Sequence, residues 1–368
     1  MSWNWEQPGW PEFRFDLGRI AQVEKKFLLA VGSSSAFLRN IEETERSQFA
    51  IEILSSEGEK SSRIEGEILD RESLQSSIRR HFGLTAFTKP KHKREISVAE
   101  LLCDVYDFYK EPLTHETLWK WHAKLFQESL SDFTVGGYRT HEEPMQIMGR
   151  RLDAPQVFFE APPSKRVHSE MDRYISWFNA SENEASILAR AALAHLYFES
   201  IHPFEDGNGR LGRVLVEKSL SQGVGRPILI AVSKTLEKRK KEYYKALEAC
   251  NQTLEVTDWV VFFADVILQA QKESLDLLQF LIEKSKLMTK LSGQLNQRQE
   301  KALLRVFEEG PQGFQGGLSS EKYVAITGAS RATATRDLAE LVELGAFVKT
   351  GELRHTRYWL NIQKEFNP

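Results

Sequence analysis

The chain has 368 residues, 41% of them hydrophobic and 27% charged, with a formal net charge of −3. These values describe a soluble globular protein long enough for two or three domains. They exclude a global electrostatic pull toward nucleic acid or anionic membrane. Two cysteines exclude a disulfide framework or a paired-cysteine metal site.

In chain order, Met1-Ser2-Trp3-Asn4-Trp5 has neither a basic nor an apolar leader region, so no signal peptide is expected and the location is expected to be cytoplasmic. Trp3, Trp5 and Trp10 read as core aromatics. Ile20, Val23, Phe27, Leu28 and Val31 follow one face of a helix. Ile64, Ile68 and Leu69 suggest a second helix, with Ser61 and Ser62 able to cap its start. Helical periodicity dominates from Val98 to about Leu291, including Leu101 to Tyr109, Leu118 to Phe126, Met171 to Phe178, Ile187 to Ser200 and Thr257 to Leu291. Gly136 to Gly149 is the exception, with β-compatible alternation around Met145, Ile147 and Gly149 that suits a small hairpin. Ala161-Pro162-Pro163 ends that region. Cys103 and Cys250 sit in apolar stretches as core thiols. The apolar run around Trp259 to Phe263 falls far short of a membrane span.

From Asn296 the pattern is a helix to Phe307, a short helix at Lys322 to Thr327, the turn Gly328-Ala329, and a helix from Ser330 to Leu344. A hairpin at Phe347-Val348-Lys349 and Tyr358-Trp359-Leu360 completes a winged-helix order. Residues 296–362 carry nine Lys/Arg against eight Asp/Glu, a weak footprint for a DNA reader. Arg331 and Arg336 share the second of the paired helices with Asp337, Glu340 and Glu343. Protein contact, or weak DNA binding, is the expected role.

The most informative segment is His202-Pro203-Phe204-Glu205-Asp206-Gly207-Asn208-Gly209-Arg210-Leu211-Gly212-Arg213. Neutral His202 can act as a general base. Asp206 offers the hard oxygen that Mg²⁺ prefers. Gly207 and Gly209 free the backbone N–H groups to face an anion at the start of a helix. Arg210 and Arg213, three apart, present two guanidinium forks to phosphate oxygens. Gly207-x-Gly209-x-x-Gly212 also matches the dinucleotide fingerprint by letter, but Ala189 to Ser200 reads as helix where that motif needs a strand. Kinase and Walker motifs lack their remaining parts.

The segment is the full H-P-F-x-D-G-N-G-R-x-x-R signature, and the chain is identified by it as resembling the Fic family. Gly137-Tyr138-Arg139, the stretch to Gly149 and Pro162-Pro163 resemble the family's flap. Tyr243-Tyr244-Lys245-Ala246-Leu247 through Asn251 and Trp259 resembles the helix closing its nucleotide site. The Trp-Asn-Trp-Glu-Gln-Pro opening and the winged-helix order resemble a bacterial three-part subgroup. The resemblance implies a mainly α fold. Its parts would be a helical N-terminal domain (1–95), a Fic helical core with a small β-hairpin flap (96–291), and a C-terminal winged helix-turn-helix (292–368).

It also implies a protein adenylyltransferase that moves AMP from ATP to a Tyr, Thr or Ser hydroxyl of a target protein or of itself. His202 would be the base and Asp206 the Mg²⁺ ligand. Glu205, Gly207, Asn208 and Gly209 would surround the phosphates, with Arg210 and Arg213 at the β/γ end. Tyr244 and Asn251 would border the adenosine. A lysine at the position of Gly209 marks the phosphotransferase branch that resembles Doc, so glycine favours nucleotidyl transfer. Ser61-Ser62-Arg63-Ile64-Glu65-Gly66 resembles the family's inhibitory pattern Ser/Thr-x-x-x-Glu-Gly/Asn. It implies autoinhibition by Glu65 pairing with Arg213, with Ser61 and Gly66 as the motif's other members. Glu67 lies outside the pattern and ranks second. Reverse removal of AMP falls within the same resemblance. A DNA-binding regulator whose Fic core senses nucleotide, or transfer of another phosphate-containing group, are the alternatives. The amphipathic stretch 257–291 is expected to serve as core or as a homodimer contact.

Overall fold

The computed structural model describes residues 2–39, 41–85, 93–127, 133–148, 157–183 and 186–362. Gly149, at the end of the expected hairpin, lies outside them. The chain divides into two compact units, residues 1–40 with 50–271, and residues 41–49 with 272–368. The fold is mainly helical, with fourteen α-helices and two two-stranded sheets among the described residues.

Helix α1 spans Ala21–Arg39, α2 Glu43–Ile64, α3 Arg71–His81, α4 Lys93–Asp107 and α5 His115–Leu125. On α1, Phe27 is fully buried but Leu28 is 46% exposed, so the apolar face is narrower than its letters suggest. Ser61 and Ser62 do not cap a helix start. They lie in the last turn of α2, because the apolar periodicity that continues from Glu43 outweighs local capping preference. The residues after Ile64 turn out of the helix, and Ile68 is 80% exposed. Asp70 is the N-cap that follows, accepting from the N–H of Ser73 at 2.8 Å.

Strand β1, Gln146–Met148, pairs antiparallel with β2, Val157–Glu160, and Gln146 faces Glu160. The small sheet therefore takes its second strand from the chain just before Ala161-Pro162-Pro163, outside Gly136 to Gly149. Helix α6 then spans Ser164–Ala180, α7 Ile187–Ile201 and α8 Asn208–Val224. Apolar on all sides, α7 leaves only Ile187 and Glu199 outside the buried set, as expected of a central helix. It packs along α8. Arg190 ties the two together, donating to the Ser219 carbonyl and Gln222 Oε1 on α8 and to the Phe178 carbonyl on α6.

Helices α9 (Val232–Lys238) and α10 (Lys240–Cys250) close this unit, and α11 runs Thr257–Leu291. The N-terminal tryptophans are structural: Trp5 and Trp10 are buried, and their indoles donate to the Glu160 carbonyl and to Glu170 Oε2. Asn4 donates to Ser200 Oγ and to the Cys250 carbonyl, binding the opening segment to α7 and α10. Burial pushes the thiols of Cys103 and Cys250 up to about 12, so both stay protonated core groups.

The second unit carries α12 (Gln297–Glu308), α13 (Ser320–Thr327), α14 (Arg331–Glu343) and the antiparallel pair β3 (Phe347–Thr350) and β4 (Arg357–Leu360). Ser330 caps α14, and Gly345 (φ 76°) follows its end. The core includes Leu303, Tyr323, Leu338, Leu341 and Phe347. Asp337 does not lie on an acidic outer face. It is 4% exposed, bonded to Arg298 Nε at 2.9 Å and to the Tyr323 hydroxyl at 2.9 Å. Among the described residues, no helix is long and apolar enough to cross a membrane.

Candidate active site

Helix α7 ends at His202, whose backbone is left-handed (φ 50°, ψ 60°) and whose N–H donates to the Phe198 carbonyl. A non-glycine residue there costs about 1–2 kcal/mol and needs restraint from outside. Arg139 supplies it. Its side chain is buried, with Nε donating to the His202 carbonyl at 2.8 Å and Nη1 to Ser164 Oγ at 3.0 Å. Its backbone N–H bonds the Pro203 carbonyl at 3.0 Å. Pro203 cannot continue the helix, and Phe204 drops into the core, stacked on His122 with ring centroids 4.2 Å apart.

Asn208 closes the loop. Its Oδ1 accepts from the Phe204 N–H at 2.9 Å and its Nδ2 donates to the Phe204 carbonyl at 2.7 Å. The side-chain amide thus shapes the loop with one N–H and one lone pair, while Asn208 also lines the cavity described next. Gly207 is the N-cap of α8 with φ 83° and no side-chain cap, and a Cβ there would meet Phe126 at 2.8 Å. The uncapped first turn of α8 favours an anion.

A cavity of about 1110 Å³ opens above this loop. His202, Glu205, Asp206, Gly207, Asn208 and Gly209 line one side, Tyr244 and Asn251 the other, with Glu65 between and Met148 and Phe158 of the small sheet at the rim. That is ample room for a nucleotide-sized ligand. The Asn251 amide donates to the Phe158 carbonyl at 2.8 Å and fastens the end of α10 to β2. Tyr244 is 44% exposed, whereas Tyr243 is buried with its hydroxyl 2.8 Å from His195 Nε2. Glu205 accepts weakly from the Thr134 N–H at 3.4 Å. Asp206 leaves 56% of its side chain exposed in the cavity wall, a hard donor that suits Mg²⁺ completed by phosphate oxygens and water.

Neither Arg210 nor Arg213 lines the cavity. Arg213 is 1% exposed in its side chain. Its Nε donates to Ser61 Oγ at 2.9 Å, and its Nη2 donates to the Ser61 carbonyl at 2.9 Å and to Glu65 Oε1 at 2.8 Å. Arg210, 5% exposed, meets Glu67 Oε2 at 2.9 Å through Nη1 and lies over the Phe126 ring. Gly66 accounts for this pairing. With φ 92° it lets the chain reverse after α2, so that Glu65 and Glu67 reach the two arginines. A side chain at Gly209 would collide with Glu65 Oε1.

Burial and the nearby Arg139 charge push the His202 imidazole down to about 4, so it is neutral at pH 7. Its Nδ1 has Glu199 Oε2 at 3.7 Å, and burial with the charge of Glu65 raises the Glu199 carboxyl to about 8. Glu199 and Arg139 were not singled out as site residues by sequence, and Glu67 ranked only second to Glu65. Only the position of Glu199, one helical turn before His202, could have pointed to it.

Residues 112–220 match the model of the Fic/DOC family. This stretch is similar to Fic/DOC domains. Residues 3–84 match a second model, a domain of unknown function (DUF4172), which precedes the Fic-like stretch. A protein adenylyltransferase Fic of Culex quinquefasciatus is 33% identical over 96 residues, 26% of this chain and 18% of that protein. A probable protein adenylyltransferase of Aquifex aeolicus is 31% identical over 112 residues, 30% of this chain and 31% of the relative. The match spans under a third of either relative. In fold, the chain resembles a Fic family protein from Desulfovibrio desulfuricans G20 (TM-score 0.55, 21% identity), covering 95% of this chain and 98% of that one. A Fic domain containing signaling protein from Bacteroides thetaiotaomicron aligns with TM-score 0.51 and 19% identity over 73% of this chain and 98% of its own.

Proposed function

We propose that the protein is a protein adenylyltransferase held off by its own N-terminal region. The observation that carries this reading is the exchange at the cavity floor: Glu65 lines the space while Arg213, its 2.8 Å partner, does not. A phosphate end would need the guanidinium fork that the carboxylate now occupies. Glu67 acts in the same way on Arg210, so the reading has two latches, with Ser61 steadying the Arg213 fork.

In the open state, neutral His202 takes the proton of a target Tyr, Thr or Ser hydroxyl. The hydroxyl oxygen bonds to the α-phosphorus of ATP, and pyrophosphate leaves. Arg210 and Arg213 bind the departing β/γ end, and the first-turn N–H groups of α8 hold the α/β oxygens. Asp206 would hold Mg²⁺, which when bound neutralises charge on the phosphates. Tyr244 flanks the base, while Asn251 keeps α10 against β2. The half-exposed β1 edge, with Ile147 39% and Met148 44% exposed, suits strand addition by an extended target segment.

The test is label transfer by the Glu65→Gly variant. Protein labelling from ATP carrying its label at the α-phosphate, and none from the γ-phosphate, is the expected outcome. γ-label on protein would replace adenylyl transfer with phosphoryl transfer.

A further inference from the structure

A second cluster of ligand-type side chains lies away from the nucleotide cavity. His115 is the first residue of α5, and His168 and Asp172 stand one turn apart on α6. His115 Nε2 is 2.9 Å from Asp172 Oδ1, and His168 Nδ1 is 3.3 Å from Asp172 Oδ2. The two imidazoles stack with centroids 4.7 Å apart, so both nitrogen edges turn to one carboxylate. All three donor atoms lie within 4.8 Å of one another. We propose that His115, His168 and Asp172 form a binding site for a divalent transition metal of the zinc type, with the remaining position open to water.

Four-coordinate zinc takes nitrogen and oxygen donors at about 2.0–2.1 Å, which places neighbouring donors roughly 3.4 Å apart. The two distances to Asp172, 2.9 and 3.3 Å, are close to that value, and no pair of donors is more than 4.8 Å apart. A pair of ligands at i and i+4 on one helix is an established chelating arrangement, and the third comes from a second helix. Tyr138 completes the design from behind. Its hydroxyl lies 2.8 Å from His115 Nδ1, and the tyrosine is buried. A phenol oxygen can accept from Nδ1–H, which leaves the Nε2 lone pair free for a metal. The next residue, Arg139, clamps the His202 carbonyl, so an ion here would tie α5 and α6 to the segment that shapes the catalytic loop.

Untagged full-length protein should be dialysed against Zn²⁺ in excess Mg²⁺, which occupies the carboxylates of the nucleotide cavity. One equivalent is expected. His168→Ala and Asp172→Ala should each weaken binding by at least about tenfold, and Tyr138→Phe by about tenfold. His355→Ala, far away in sequence and outside the cluster, should leave it unchanged. His168 is 64% exposed in its side chain, so its variant is expected to fold. Co²⁺ should give visible bands of a low-coordinate site in wild type that His168→Ala removes, and Zn²⁺ should raise the melting temperature of wild type and His355→Ala more than that of His168→Ala or Asp172→Ala. Absence of zinc binding, or affinities within threefold across His168→Ala and Asp172→Ala, would overturn the proposal.

Discussion

Glu65 Oε1 and Arg213 Nη2 meet at 2.8 Å across 148 residues of sequence, with the arginine buried and the carboxylate 31% exposed. The asymmetry suits a latch. The arginine remains desolvated and in place, while the carboxylate is reachable and can be displaced. A hydrogen bond to a charged group contributes about 1.5–3 kcal/mol, and partial exposure brings this toward the lower end. At about 1.4 kcal/mol per tenfold, removing the Glu65 carboxylate should release transfer by roughly 10–100-fold. Rates of label incorporation in wild type and Glu65→Gly read this directly.

Glu67→Gln should release less than Glu65→Gly, because Arg210 keeps Asp206 Oδ1 within 3.6 Å as a second partner. The double variant should exceed either single one. Initial rates at saturating ATP check the order, and a Glu67→Gln rate equal to wild type would leave Glu65 as the sole latch.

The catalytic pH profile follows from the His202 environment. Its imidazole is lowered from 6.5 to about 4, so the neutral base form persists well below the usual histidine range. Transfer by Glu65→Gly should therefore stay flat between about pH 6 and 8 and fall only as pH approaches the lowered value. A half-maximal rate near pH 6.5 would show a solvent-exposed imidazole instead.

Much of this was legible in the residues, and the gaps have physical causes. The long amphipathic helices followed their 3.6-residue period, and α11 has the same ends, Thr257 and Leu291, as its apolar pattern. Ser61 misled because an Ser-x-x-x-Glu run looks alike at either end of a helix; only the burial of the preceding turns shows that α2 is finishing. The partner of β1 was missed because strand pairing is non-local. Asn208 reads as a phosphate ligand by type, yet its amide satisfies the backbone of Phe204, a contact that only the closed loop creates. Asp337 enters the charge balance of its helix by type, yet its carboxylate is taken up by Arg298 and Tyr323, partners brought in by the fold.

Loop shape is a stability matter as well. Gly207→Ala would need a strained positive φ and would press its methyl on Phe126 at 2.8 Å. A loss of about 1–3 kcal/mol is expected, read as a lower denaturation midpoint together with weaker nucleotide binding.

In the second unit, burial raises the Asp337 carboxyl but the hydrogen bonds from Arg298 and Tyr323 outweigh it, so the net shift is downward from 3.8. A depressed carboxylate contributes stability above its unfolded value, and that contribution is lost as pH falls through the lowered one. Asp337→Asn should therefore melt earlier than wild type at pH 7, and the gap should close below about pH 4, where protonation begins to remove the same charge from wild type. Thermal melts at both pH values test this.

The most direct measurement is incorporation of α-phosphate label into protein by wild type, Glu65→Gly and Glu65→Gly/His202→Ala side by side. The account predicts strong labelling in Glu65→Gly alone, with wild type at least about tenfold weaker and the double variant blank. Equal labelling of wild type and Glu65→Gly would contradict the latch, and labelling that survives the loss of His202 would contradict its role as the base.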